Sequence, residues 1–197
     1  RITDIESIIL QHEMEEELGF AQGYYNQRTA HLVKVHTDEG ITGIGEASAQ
    51  APGILKHVIT PLLLGRNPLD IGVIWHNLYN ALRDHGQKGL PICCLSGVDI
   101  ALWDILGKVT ALPLHQLLGG AAREQVVAYG SGMMFRKRDD LPALFEQEVA
   151  AIVDMGFTAS KMKTGMGVEK DRELAAAVRR GAGDGFKLMA DANHAYT

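Results

Sequence analysis

The sequence predicts an α+β domain followed by a run of β/α repeats, and two observations predict it. The opening residues carry strand-like segments that give way to helical periodicity near Pro52. From about Gln125 onward strand-like and helix-like segments alternate, with strand centres near Tyr129, Met162 and Met189, a spacing of about 30 residues that is the size of a βαβ unit.

The elements follow in order. Ile2–Leu10, Thr29–His36 (with Leu32, Val33 and Val35) and Ile41–Ala47 read as strands, the last two joined by a turn at Asp38-Glu39-Gly40. They make a three-stranded antiparallel start. Between the first two lies an irregular segment, His12–Gln27, with an acidic cluster (Glu13, Glu15, Glu16, Glu17) and then Gly19, Gly23, Tyr24 and Tyr25. It is either a disordered hairpin tip or a functional flap. Ile54, Leu55, Val58, Ile59 and Leu62 follow helical spacing up to a break at Gly65-Arg66-Asn67-Pro68, and Leu69–Leu82 resumes it with Trp75 and Leu78. Ile92–Leu106 is apolar nearly all round apart from Ser96, Asp99 and Asp104, which predicts a buried helix. The first domain is expected over residues 1–120, ending near Gly119-Gly120.

Residues 121–197 are expected to hold three β/α units. Gln125–Gly130 reads as a short strand. Leu141–Met155 reads as a helix with Leu144, Phe145, Ile152 and Met155 as its buried stripe, Pro142 in its first turn and Gly156 past its end. Ala159–Thr164 is a strand. Val168–Arg180 is a helix, acidic at its start (Glu169, Asp171), basic at its end (Arg179, Arg180) and closed by Gly181. Phe186–Ala192 is the third strand. Right-handed repeats imply a parallel sheet. Three strands cannot close a barrel, so a β/α barrel would need about five further repeats. A chain that starts at Arg1 and stops just after a strand is accordingly expected to be a piece of something longer.

Composition narrows the function classes. Hydrophobic residues make up 46% of the chain, enough for a packed core, and the net charge is −5. No run of about 18 apolar residues predicts a membrane span, and no basic-then-apolar leader suggests export, so a cytoplasmic protein is expected. The densest basic run, Arg136-Lys137-Arg138, is followed at once by Asp139-Asp140, which argues against nucleic acid. Cys93 and Cys94 are adjacent, the wrong spacing for a CxxC motif, and both are expected as reduced core residues.

The chemistry concentrates where parallel strands end, the usual place for active sites in sheets and barrels. In Ser160-Lys161-Met162-Lys163-Thr164-Gly165 the strand period of two puts Lys161 and Lys163 on one face and Met162 on the other. Two inward ammonium groups carry a large desolvation cost unless an anion is near, and desolvation and mutual repulsion favour the neutral amine that acts as a base. The bland alternative is an exposed edge strand with two solvated lysines. In Met189-Ala190-Asp191-Ala192-Asn193, Asp191 and Asn193 share a face. Asp191 can bind a hard cation; equally, it can cap the following helix or bond the lysines.

Four segments together resemble the mandelate racemase and muconate lactonising enzyme branch of the enolase superfamily. They are Gly43-Ile44-Gly45-Glu46-Ala47; the run from Leu95-Ser96-Gly97-Val98-Asp99 through Trp103-Asp104 to Gly107-Lys108, with Leu112-Pro113-Leu114 and Leu117-Leu118-Gly119-Gly120; Lys161-Met162-Lys163; and Asp191-Ala192-Asn193. The resemblance implies an α+β capping domain joined to a (β/α) TIM-type barrel that is truncated here. It implies Lys163 as the base for a substrate α-proton, Lys161 as the partner that tunes it and contacts the substrate carboxylate, and Asp191 as the first of three carboxylate ligands of Mg2+, the metal stabilising an enediolate. Asn193 would stand behind the metal or contact a substrate hydroxyl. Leu18–Gln27, carrying Tyr25, and Ser48–Pro52, carrying Gln50, resemble the two cap loops that close over substrate, so Tyr25 and Gln50 join Asn193 as expected substrate contacts. Glu46 reads as structural and His194 as a loop residue.

The remaining ligands and the opposite-face acid or base are expected on later strands. A His–Asp pair there would mark racemases and acid-sugar dehydratases; a lysine would mark cycloisomerases, dipeptide epimerases or o-succinylbenzoate synthases. Asn193-His194-Ala195-Tyr196-Thr197 leans to the mandelate racemase side. The expected function is therefore a Mg2+-dependent racemase or dehydratase of a hydroxy acid or sugar acid, with a small-molecule carboxylate and further copies of the chain as partners. The 197-residue piece alone is expected to be inactive. A Schiff-base aldolase and a catalytically dead binding relative are the rivals.

Overall fold

The structure is a computed structural model that describes residues 1–196. The chain divides into two compact units, Arg1–His12 with Thr29–Ala122, and Glu13–Arg28 with the chain from Arg123 onward. Residues 13–28, read from the sequence as part of the first portion, thus cluster with the second.

Strands β1 (Ile2–Phe20), β2 (Gly23–Thr37) and β3 (Thr42–Ala47) lie in that order, with β2 and β3 antiparallel. The supposedly irregular segment is strand on both sides of a two-residue turn at Ala21-Gln22. Its run of glutamates hides this, because acidic residues are poor strand formers until tertiary partners hold them. A helical stretch follows: α1 (Pro52–Ile54), a π-helical turn (Leu55–Ile59) and α2 (Thr60–Leu63). Pro61 has no N–H to continue the regular ladder, and Thr60 donates to Leu55 O through both its N–H and, at 2.9 Å, its hydroxyl. Helices α3 (Ile71–Ala81), α4 (Leu90–Thr110) and α5 (Leu114–Leu117) complete the unit.

Helix α4 lies on the backbone of β3, and glycines set that distance. A Cβ on Gly45 would sit 1.9 Å from Gly97 O, and one on Gly43 would sit 2.0 Å from Ala101 O. Asp104 Oδ2 accepts the Ile44 N–H at 2.8 Å and Lys108 Nζ at 2.7 Å, while Lys108 Nζ also donates to Thr42 O at 2.6 Å. Strand β3 is an edge, and these bonds occupy backbone groups that would otherwise stay open. We therefore expect Gly45→Ala to destabilise the protein by about 3 kcal/mol or more, read as a lowered denaturant midpoint; an unchanged midpoint would remove the close approach from the account. Helix α4 is buried on one side only: Cys93, Ser96 and Ile100 are exposed, while Cys94 is fully buried with its thiol on Ala51 O. The expectation of two core cysteines is corrected for Cys93. By length and composition α4 is apolar enough to cross a bilayer, but its packing against β3 is that of a core helix.

In the second unit, β4 (Gly130–Ser131), β5 (Ala159–Lys163) and β6 (Lys187–Asp191) form an open parallel sheet with β5 in the middle, and α6 (Leu141–Asp154) and α7 (Val168–Ala182) connect them. The described residues do not close a barrel. The strand expected at Gln125–Gly130 starts only at Gly130; Val126 and Val127 are each 82% exposed, because β-branched residues make no strand without a pairing partner. The core is built from Leu141, Phe145, Val149 and Ile152 of α6, Leu174 and Val178 of α7, and Met162 of β5. Val149, not expected in the stripe, is fully buried, and Met155, expected there, is exposed. Gly181 lies inside α7, where a Cβ would meet Glu146 O at 2.3 Å, and Gly183, at φ +75°, ends the helix. Gly181 thus serves helix–helix contact rather than capping.

Candidate active site

Parallel pairing places Lys163 directly beside Asp191 and Lys161 beside Met189, while Met162 is buried on the opposite face. The period-two reading of β5 therefore holds, and β5 is the central strand rather than an exposed edge. Lys163 Nζ lies 2.7 Å from Asp191 Oδ2 and donates to Asn193 Oδ1 at 2.6 Å. Lys161 Nζ reaches the same Asp191 oxygen at 3.2 Å. Only 12% of the Lys163 side chain is exposed, against 27% for Lys161 and for Asp191. The desolvation expected for the lysine pair is thus offset by a shared carboxylate, so Asp191 bonds the lysines, as one of its bland readings held.

The other Asp191 oxygen accepts the Asn193 N–H at 3.1 Å. The hydrogen bond from Lys163, helped by the Asn193 N–H and Lys161 and opposed by partial burial, pulls the Asp191 carboxyl down from 3.8 to about 2. Because the folded value is depressed, this stabilisation is fully present above about pH 4 and is lost as the pH falls through about 2. We expect acid unfolding of the parent to lose on the order of 1–2 kcal/mol over that window, after allowing for solvent screening. Asp191→Asn should lack that increment in a pH series of denaturant midpoints, and identical pH slopes for the two proteins would refute it.

The hairpin tip, residues 13–28, packs on this end of the sheet. Gly19 and Phe135 exchange two backbone hydrogen bonds, at 2.7 and 3.0 Å. Arg136, 15% exposed, joins Glu16 at 3.2 Å to Glu148 at 2.8 Å, and Lys137 pairs with Glu17 at 2.7 Å and stands over the Tyr24 ring. The acidic cluster and the basic run are therefore partners in space. Two charge runs of opposite sign were the available signal. At the tip, Gln22 Nε2 donates to Asn193 O and His194 O, each at 3.2 Å. Nothing in the sequence singles out Gln22. Asp171, read only as an acidic helix start, accepts the Gly165 and Met166 N–H groups at 2.8 and 3.1 Å and a bond from the Tyr196 hydroxyl, tying together the loops after β5 and β6.

The expected substrate contacts divide. Asn193 joins the lysine and aspartate cluster. Tyr25 is engaged within the hairpin tip, its hydroxyl accepting from Arg28 at 2.7 Å and its ring under the guanidinium and beside Phe20. Gln50 belongs to the first unit, on an exposed loop where its N–H donates to Ser48 Oγ at 3.3 Å. That loop is pinned by fully buried His31, whose Nδ1 bonds Ser48 O at 2.9 Å and whose Nε2 bonds Ser7 Oγ at 2.7 Å. For a divalent cation, Asp191 offers hard oxygen ligands of the right kind. Among the described residues no group of three His, Cys, Asp or Glu side chains is placed to hold a metal ion.

Known proteins resemble this chain along its whole length. A family profile described as the mandelate racemase/muconate lactonizing enzyme N-terminal domain matches residues 5–119, and one described as enolase C-terminal domain-like matches residues 144–197. The chain is 40% identical to a D-galactarolactone cycloisomerase of Agrobacterium fabrum, with all of this chain and 53% of that protein covered. It is 36% identical to an arabinonate dehydratase of Saccharolobus solfataricus, over 83% of this chain and 45% of that protein. A crystal structure of a racemase from Streptomyces coelicolor A3(2) with bound magnesium superposes with a TM-score of 0.91 at 27% identity, covering all of this chain and 56% of that one. The chain thus spans about half the length of the proteins it matches.

Proposed function

The chain belongs to the mandelate racemase/muconate lactonizing enzyme family, and from that we propose that the complete protein removes the α-proton of a hydroxy-acid or sugar-acid carboxylate, as a racemase or a dehydratase. One observation carries the reading: Lys163 and Asp191 stand side by side on adjacent parallel strands, with both lysines on one carboxylate oxygen. A cationic pair around a carboxylate is suited to an anionic ligand, and the dehydratase and cycloisomerase relatives are named for sugar acids and their lactones. In this proposal Lys163 takes the α-proton, Lys161 holds the substrate carboxylate and sets the charge around Lys163, and Asn193 orients Lys163 or a substrate hydroxyl. Asp191 contributes one ligand to Mg2+, with the others supplied by a completed barrel outside residues 1–197. Bound there, the cation would stabilise negative charge on the substrate carboxylate as the proton leaves. Tyr25 and Gln50 remain proposed substrate contacts, and self-association is proposed for the complete protein.

A second reading, cycloisomerisation through the same α-proton chemistry, is favoured by the similarity to the D-galactarolactone enzyme across the whole chain. Incubating the complete protein with aldonic acids, aldaric acids and their lactones in deuterated water with Mg2+ separates the readings. Deuterium entry with unchanged mass otherwise denotes racemisation, loss of water denotes dehydration, and a ring-opened or ring-closed isomer denotes cycloisomerisation. EDTA should stop all three. No exchange with any acid would favour a binding protein, and a borohydride-trapped adduct on Lys163 would favour Schiff-base chemistry.

A further inference from the structure

We propose that Gln22, at the tip of the hairpin, is a positioning residue for Lys163, acting through the Asn193-His194 turn. Asn193 and His194 are consecutive non-glycine residues with φ of +44° and +66°, a left-handed conformation that L residues hold only when their surroundings over-determine it. Both carbonyls of that turn accept from one amide, Gln22 Nε2, at 3.2 Å each. Carbonyls only accept, so the Gln22 NH2 must face them. The same turn presents Asn193 Oδ1 to Lys163 Nζ at 2.6 Å.

A second contact fixes the tip independently. A Cβ on Gly165, at φ +116° just past β5, would lie 2.6 Å from both the Ala21 and the Ala195 Cβ atoms. The two residues of the hairpin turn thus meet the two loops that follow the lysine strand and the aspartate strand. Gln22 touches the backbone of one and Ala21 fills the space above the other. Lys163 therefore carries its Asn193 hydrogen bond only while the hairpin tip is seated, and the tip relays its position to the amine without touching it.

The catalytic meaning of this link rests on Lys163 as the base, but its test does not need substrate or metal. Crystal structures of the complete protein, treated with EDTA, would be compared for the parent, Gln22→Leu and Gln22→Met. Both variants remove the donor without adding a charge, and the methionine keeps the length. In each variant the Asn193-His194 turn should shift and the Lys163 Nζ to Asn193 Oδ1 hydrogen bond should be lost, the distance opening beyond about 3.5 Å, with melting midpoints unchanged. A hydrogen bond kept at the parent's length in either variant would overturn the proposal. The reading of Lys163 as base fails separately, if Lys163→Ala retains α-proton exchange on both faces of the substrate.

Discussion

Lys163→Ala is expected to cut exchange of a substrate α-proton with deuterated solvent by about a thousandfold, the usual contribution of a positioned general base, while the circular dichroism spectrum and melting midpoint stay close to the parent's. The residue is at the end of a central strand, its side chain is mostly covered, and its amine bonds Asp191 and Asn193. Removing it leaves Lys161 to pair with Asp191, so the fold keeps a cation on the carboxylate. Lys163→Arg should not restore activity, because a guanidinium stays protonated. Exchange retained on both faces of the α-carbon in Lys163→Ala would reject the role.

Asp191→Asn is expected to weaken Mg2+ binding by about a hundredfold or more, because a charged oxygen ligand is replaced by a neutral one; titration calorimetry on the complete protein would read it directly. The same change leaves two partly buried ammonium groups without their shared anion, a situation that costs more than the pair contributed. Asp191→Asn should therefore also lower the melting midpoint, whereas Lys163→Ala should not. Unchanged metal affinity would reject Asp191 as a ligand.

The alternation of strands and helices, the facing of Lys161 and Lys163, and the nearness of Asp191 were legible because they follow from local periodicity and from strand order. Features that depend on a distant partner were not. Val126 and Val127 carry strand propensity but lie exposed outside the sheet, and Glu13–Glu17 carry loop-like composition but Glu16 and Glu17 meet Arg136 and Lys137. Gly181 looks like a helix terminator in sequence, yet its role is set by the Glu146 carbonyl on another helix. At the site, the left-handed Asn193 and His194 had a weak local signal, since asparagine and histidine are enriched in that region; Gln22 had none. Gly43 and Gly45 marked the family in sequence, and the structure supplies their physical reason in the carbonyls of α4.

A crystal structure of the complete protein with Mg2+ and an unreactive sugar acid measures the central geometry. The account predicts the cation on an Asp191 carboxylate oxygen and Lys163 Nζ about 3–3.5 Å from the carbon next to the acid's carboxylate. A cation bound elsewhere, with Asp191 still paired to both lysines and the acid distant from Lys163, would contradict it.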